Sequence, residues 1–282
     1  MVGIIVRISY GIYSVDVDGT IYNTSPRGLF RNGRKKLVVG DKVILNSDNF
    51  LIDDVLERDN FLLRPSIANV DQMLLIFSLN EPTFSYFLAC KYLTFASINN
   101  VEAKLILTKN DIDDKFEAQN IKECFSKIGI ETYIVSSKNG QGVDEIRKLL
   151  EDKISVLVGQ SGVGKSSLLN AIDPSFTRDI GEYSKALGRG KHETKEVILL
   201  PYLGGYIADT PGFSSLELIA SPNEVAKAFP GFDTYWQKCF YNDCLHDKEK
   251  SCEIKKAVEE GNIPSIIYEC YLKLLLEVKG NG

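Results

Sequence analysis

A chain of 282 residues with 44% hydrophobic content can fill more than one core, and its length suggests two domains, with three possible. No apolar run approaches the roughly 20 residues of a membrane span, and the opening MVGIIVRISYG lacks the charged leader and cleavage site of a secretion signal, so a cytoplasmic protein with no membrane partner is expected. The net charge of -5 gives no overall attraction to nucleic acid, so any RNA contact must use local basic patches, and six cysteines in a reducing compartment argue against a disulfide framework.

The stretch to about Arg64 reads as short strands. IIVRISY, GIYSVDVDG, TIYNTS, KKLVVGDKVIL and NFLIDDVLER alternate apolar with polar residues and are punctuated by glycine and aspartate, the pattern of a small β-barrel. Between two of them lies RGLFRNGRKK. There Arg27, Arg31, Arg34, Lys35 and Lys36 bracket Phe30, the mixture of charge and stacking surface found on RNA-binding barrels; a solvated loop with Phe30 tucked into the barrel fits the same letters.

From Pro65 the pattern changes to buried apolar strands alternating with helical stretches. QMLLIFSL, a helix over 84–97, KLILTKND, a helix over 115–128, TYIVSS, DEIRKLLE and ISVLVGQSG predict a parallel sheet with helices on both faces. TKND at 108–111 has the form of a guanine reader. The Asp111 carboxylate can accept both the ring N–H and the exocyclic amino group, a pairing adenine cannot offer, while Lys109 lays its stem over the base. An aspartate capping a helix would leave the same letters. The SSK loop at 136–138 supports the reader: Ser136 precedes Ser137 and Lys138, which would bring a backbone amide to the guanine carbonyl.

GQSGVGKSS at 159–167 follows a strand and precedes the helical SLLNAI, the context a phosphate-binding loop requires. Gly159, Gln160, Ser161, Gly162, Val163 and Gly164 would wrap the phosphates in backbone amides, and Lys165 would reach the β and γ phosphates. Ser166 would ligate Mg²⁺, and Ser167 continues the helix start. Downstream, ALGRGKHETK carries Thr194, suited to meet Mg²⁺ only while the γ-phosphate is present. DTPG at 209–212 ends the strand YIAD, with Asp209 as a further Mg²⁺ ligand through its coordination shell and Gly212 among the GTP-binding residues. Where many GTPases have a water-orienting glutamine, this chain has Phe213, so His192 becomes the candidate to position water; a plain surface histidine is the alternative.

The tail is polar and helical, ending in the apolar stripe IIYECYLKLLLEV at 266–278. CFYNDCLHDKEKSC supplies Cys239, Cys244, His246 and Cys252, three thiolates and an imidazole, the set that closes a structural tetrahedral Zn²⁺ site, although chance spacing of buried cysteines would read alike. Cys90, Cys124 and Cys270 sit in apolar helical patterns and are expected in the core.

Usual GTPases place the phosphate loop first and the guanine reader late; here the reader and SSK come first, so the order is circularly permuted. The series TKND, SSK, GQSGVGKSS, HET, DTPGF, preceded by RGLFRNGRKKLVVGD and followed by CFYNDCLHDKEKSC, resembles the ribosome small-subunit-dependent GTPase A (RsgA) family over nearly the whole chain. The resemblance implies a multidomain α/β protein: an N-terminal OB-fold over 1–64, a circularly permuted P-loop GTPase domain over 65–219 and a C-terminal helical zinc domain over 220–282. It also implies GTP hydrolysis to GDP on the small ribosomal subunit and its RNA during late maturation, and the expected state is a monomer. Two departures stand out. Thr108 replaces the usual asparagine, which should weaken a base contact and a tie to the phosphate loop, and Glu193 replaces a threonine after His192. A nucleotide-gated RNA-binding protein with incidental turnover, and a permuted GTPase for the large subunit, are the competing readings.

Overall fold

The computed structural model describes residues 1–27, 36–113, 117–176, 197–209 and 218–280. Arg31, Arg34, Lys35 and Phe30 of the basic loop, His192, Glu193 and Thr194, and Gly212 and Phe213 lie outside the described residues. The described residues group into two compact units, one holding those that fall within 1–72, 147–157 and 177–214, the other those within 73–146, 158–176 and 215–282.

In the first unit, strands β1 (Val2–Ser9), β2 (Ile12–Val17), β3 (Thr20–Thr24), β4 (Lys42–Leu45) and β5 (Ile52–Val55) pair antiparallel in the order β3-β2-β1-β4-β5. A bridge from Pro26 to Ile52 returns the segment after β3 to β5, so the sheet curls shut as a small barrel. Alternation puts Ile5, Val15, Val43, Leu45 and Ile52 on its inner side, with Leu37 beside them. The β2–β3 turn is Asp18-Gly19, with φ of 50° and 84°, the left-handed pair that a two-residue hairpin matching strand twist needs. The expected strand across KKLVVGDKVIL starts only at Lys42. Leu37 and Val38 are buried outside any strand and Val39 makes only an isolated bridge to Ile67, because Asp41 turns the chain: its buried carboxylate accepts the Val38 amide at 2.8 Å and pairs with Arg58 at 2.6 Å.

The short strands β6 (Phe61–Leu62) and β7 (Ile67–Ala68) pair with each other. Further along the chain, β11 (Ile154–Val158), β12 (Ile198–Tyr202) and β13 (Gly205–Asp209) continue the first unit, with β11 parallel to β13 and β12 antiparallel to both β13 and β1. In this part of the first unit β11 and β13 run parallel, and β12 is the antiparallel strand that pairs with β1 of the barrel.

The second unit sets β10 (Thr132–Ile134), β9 (Glu102–Thr108) and β8 (Gln72–Ser78) side by side, with β10 parallel to β9. Every residue of β8 is buried, the mark of a strand covered on both faces. Helices α1 (Tyr86–Ile98), α2 (Glu117–Ser126) and α3 (Val143–Leu149) alternate with these strands, and α4 (Lys165–Ile172) follows the glycine-rich loop. Three more helices, α5 (Pro222–Ala228), α6 (Glu253–Glu259) and α7 (Ser265–Gly280), make up the C-terminal part. A capping box between Ser221 and Glu224, with Pro222 in the first turn, starts α5. On α7 the buried residues Ile267, Cys270, Tyr271, Leu274, Leu275 and Val278 recur at helical spacing along one face, as the stripe predicts. Cys90 and Cys270 are core residues, whereas Cys124 is only half-buried. No described helix is long and apolar enough to cross a membrane.

Candidate functional site

The guanine reader, the SSK loop and the phosphate loop all belong to the second unit. Buried strand β9 ends at Thr108, and Lys109 leaves it in a left-handed conformation, φ 61°, which swings 110–112 into a short 3₁₀ turn. This geometry points Asp111 at the loop after β10. There the fully buried Ser136 donates its hydroxyl to Asp111 Oδ1 at 2.7 Å, and Lys138 Nζ stands 3.8 Å from Oδ2. The Ser136 hydrogen bond, helped by the Lys138 charge, holds the Asp111 carboxyl below its ordinary range. Asp111 is thus kept as an ionised acceptor. Lys109 donates from Nζ to the Glu81 carbonyl at 2.6 Å. Ser137 is half-buried and Lys138 exposed at the same loop.

The phosphate loop is shaped by close backbone packing. A Cβ on Gly159 would lie 2.3 Å from the Ile76 carbonyl oxygen, so only glycine fits; Gly162 and Gly164 hold φ of 82° and 96°. Gly164 then caps α4, whose free N-terminal amides face the loop. Val163 is buried and anchors the turn, while Ser161, Gly162, Ser166 and Ser167 are exposed and Gln160 is half-buried. The Lys165 ammonium donates to the Gly159 and Gln160 carbonyls at 2.5 and 2.7 Å, and partial burial lowers its pKa. An anion beside it would be strongly favoured.

The structure corrects one expectation. The tie between reader and phosphate loop is kept, because the Thr108 hydroxyl lies 2.5 Å from the Val163 carbonyl oxygen. Motif reasoning also passes over Glu81 and Gln141. Glu81 acts through its backbone carbonyl, which leaves no trace in residue type, and Gln141 accepts from Asn110 at 2.9 Å.

The ligand atoms of Cys239, Cys244, His246 and Cys252 all lie within 4.8 Å of one another, and all four residues are buried. His246 Nδ1 stands 3.6 Å from Cys239 Sγ and 3.4 Å from Cys252 Sγ, and those two sulfurs are 4.0 Å apart. A tetrahedral ion with ordinary Zn–S and Zn–N bonds would give edges of about 3.5 to 3.8 Å, so the cluster fits a metal ion of that kind. Burial pushes the Cys244 thiol up to about 12 and His246 down to about 4. A Cys244 thiolate is therefore favoured here only beside a cation. The loop is braced from outside: Glu249 accepts the Leu245 and Asp247 amides at 2.9 Å, and Tyr268 donates to the His246 carbonyl at 2.6 Å. The Phe232 ring meets the imidazole edge-on at 5.5 Å.

Of the basic-loop residues, Arg27 forms an ion pair with Asp53 at 2.9 Å, and Lys36 is exposed while its carbonyl accepts from Arg58 at 2.8 Å. Asp209 closes β13.

The RsgA GTPase family profile matches residues 55–219, and that of the RsgA N-terminal domain matches 2–50. The small ribosomal subunit biogenesis GTPase RsgA of Halalkalibacterium halodurans is 40% identical over 284 residues, covering 98% of this chain and 97% of that protein. Its namesake from Clostridium acetobutylicum is 40% identical over 287 residues, covering 100% and 99%. Among solved structures, YjeQ from Thermotoga maritima superposes with a TM-score of 0.86 at 34% identity, covering 99% of this chain and 98% of its own. YloQ, described as a circularly permuted GTPase, gives 0.83 at 33%, covering 100% and 96%. With the permuted motif order, the nucleotide-binding geometry and matches across nearly its full length, the chain belongs to the RsgA GTPase family.

Proposed function

We propose that this chain hydrolyses GTP to GDP and phosphate when bound to the small ribosomal subunit, and acts there in late maturation. The observation that carries the reading is Asp111, held ionised by Ser136 in the same unit as the glycine-shaped phosphate loop. An ionised acceptor at this position selects guanine, and the loop holds a nucleoside polyphosphate; the names of the full-length relatives supply the subunit.

In this reading 1–64 is the RNA-binding barrel, 65–219 the GTPase domain and 220–282 the metal-binding domain. Lys165, freed from the loop carbonyls, pairs with the β and γ phosphates. Ser166, Thr194 and Asp209 offer the hydroxyl and carboxylate oxygens that suit Mg²⁺, which when bound neutralises charge developing between those phosphates. Gly212 lets the backbone approach the γ-phosphate, and His192 orients the attacking water in place of a glutamine. Cys239, Cys244, His246 and Cys252 hold one structural Zn²⁺, leaving no open position for chemistry. Arg27, Phe30, Arg31, Arg34, Lys35 and Lys36 form the RNA-facing patch, with the Arg27 charge shared with Asp53. The protein works as a cytoplasmic monomer.

The test is multiple-turnover GTP hydrolysis with no subunits, purified small subunits or purified large subunits. Stimulation by small subunits alone is the expected result. Equal stimulation by large subunits, or none by either, overturns the reading.

A further inference from the structure

Strand β9 delivers Thr108 into the interior, where the residue is 2% exposed. Its hydroxyl oxygen lies 2.5 Å from the Val163 carbonyl oxygen, inside the phosphate loop, and 3.1 Å from the Phe77 carbonyl oxygen near the end of β8. Both neighbours are pure acceptors and a hydroxyl has a single proton. That proton is therefore committed to the main chain whichever carbonyl it serves. The side chain also fills the space beneath the turn: a Cβ on Gly164 would sit 3.7 Å from the hydroxyl and 3.9 Å from Thr108 Cβ.

Guanine offers a protein two kinds of edge. N1–H and the 2-amino group are donors and suit the Asp111 carboxylate, whereas O6 and N7 are acceptors and require donors. An asparagine at 108 would carry two N–H groups, enough to hold a loop carbonyl with one and keep a second donor for an acceptor edge such as N7. Threonine carries one donor, already spent.

We infer that Thr108 tethers the phosphate loop and makes no base contact, so that nucleotide recognition by this chain is indifferent to the purine N7. The inference rests on the GTP reading above. It makes position 108 a positioning residue for the phosphates and leaves base selection to Asp111 and the SSK loop.

The experiment titrates GDP and 7-deaza-GDP, in which a C–H replaces N7, into the full-length, metal-loaded protein. The two ligands should bind the unmodified chain with affinities within about twofold of each other. Thr108→Asn should favour GDP over 7-deaza-GDP by about three- to tenfold, the range of one neutral hydrogen bond. Thr108→Val should weaken both ligands together by about fivefold or more while keeping their ratio near one, because the Val163 carbonyl loses its donor. Thr108→Ser, which keeps the hydroxyl, should restore binding and guards against a folding defect in the valine variant.

A tenfold or larger loss with 7-deaza-GDP in the unmodified chain overturns the inference, as does unchanged GDP affinity in Thr108→Val. Failure of the unmodified chain to prefer GDP over ADP overturns the guanine reading itself, a separate result.

Discussion

In the proposed reading Asp111 selects the base, and its environment sets when it can do so. Its folded-state pKa lies below the ordinary carboxylate value, chiefly because Ser136 donates to it. The group is thus charged at every pH above that lowered value. Any stability tied to the shift is present above the unfolded pKa and is lost only as pH falls through the folded one. GDP affinity should therefore stay flat from about pH 8 to about pH 5 when followed by titration calorimetry, and a fall centred near pH 6 would show another group in control. Asp111→Asn exchanges an ionised acceptor for an amide, so GDP should weaken roughly a hundredfold or more while xanthosine diphosphate gains, two charge-assisted bonds being lost. If the variant kept its GDP affinity, Asp111 would not be the reader. The Cys239–Cys252 cluster was legible in the sequence, and the proposed roles of Asp111 and Lys165 could be named from it, because such chemistry depends on residue type at fixed spacing. The Thr108 tether was not. It joins residues 55 positions apart, and only the fold reveals that one hydroxyl can replace an amide there.

Among the elements, the loop before α4 is packed closely against a neighbouring strand. Gly159→Ala would drive a Cβ to 2.3 Å from the Ile76 carbonyl oxygen, a backbone atom with no rotamer to yield, so the loop must shift. We expect a loss of about 1–3 kcal/mol in thermal or denaturant unfolding, together with GDP binding too weak to titrate at micromolar concentrations. A variant with unmodified stability and affinity would mean that the loop is not packed this way. The metal loop depends on its braces as well as its ligands. Protein prepared without chelators should hold one zinc per chain by metal analysis, and Cys252→Ser should lose it. Tyr268→Phe, which removes only the donor to the His246 carbonyl, should lower metal affinity about tenfold in a competition with a chromogenic chelator. Zinc retained at full affinity in Cys252→Ser would remove that ligand from the set. Strand patterning held for β1 to β3 and for the buried β8 and β11, where period or continuous burial is strong. It failed at Leu37–Val39, whose apolar letters reflect burial beside an Asp41–Arg58 pair, with a single bridge from Val39 to Ile67 in place of a strand, and it missed β12, whose Leu203-Gly204 hairpin turn, φ 44° and 77°, places an unexpected residue in the left-handed region.

For the molecule as a whole, permutation changes what lies next to the chemistry. In the usual order the strand ending in DxxG continues into the rest of the GTPase domain; here DTPG is followed by the C-terminal helices and the metal loop. Under the proposed function, a γ-phosphate sensed at 209–212 would be close in sequence to a module that a metal bound at the Cys/His cluster would stiffen, a route by which nucleotide state would alter grip on RNA. The same segment explains why catalysis should depend on the subunit. Phe213 follows DTPG and cannot hydrogen-bond to water, so the attacking water needs another partner, and His192 stands two residues before Thr194. Free protein should hydrolyse GTP slowly, and small subunits should accelerate it strongly by fixing that histidine against the water. His192→Ala should leave GDP and subunit affinity within about twofold while lowering the stimulated rate by roughly tenfold to a thousandfold, the range for one positioned catalytic group. Measured with nucleotide and subunits both saturating, a loss in kcat alone assigns His192 to the reaction. A loss that disappears at higher subunit concentration assigns it to binding, and an unchanged rate hands the water to a different residue.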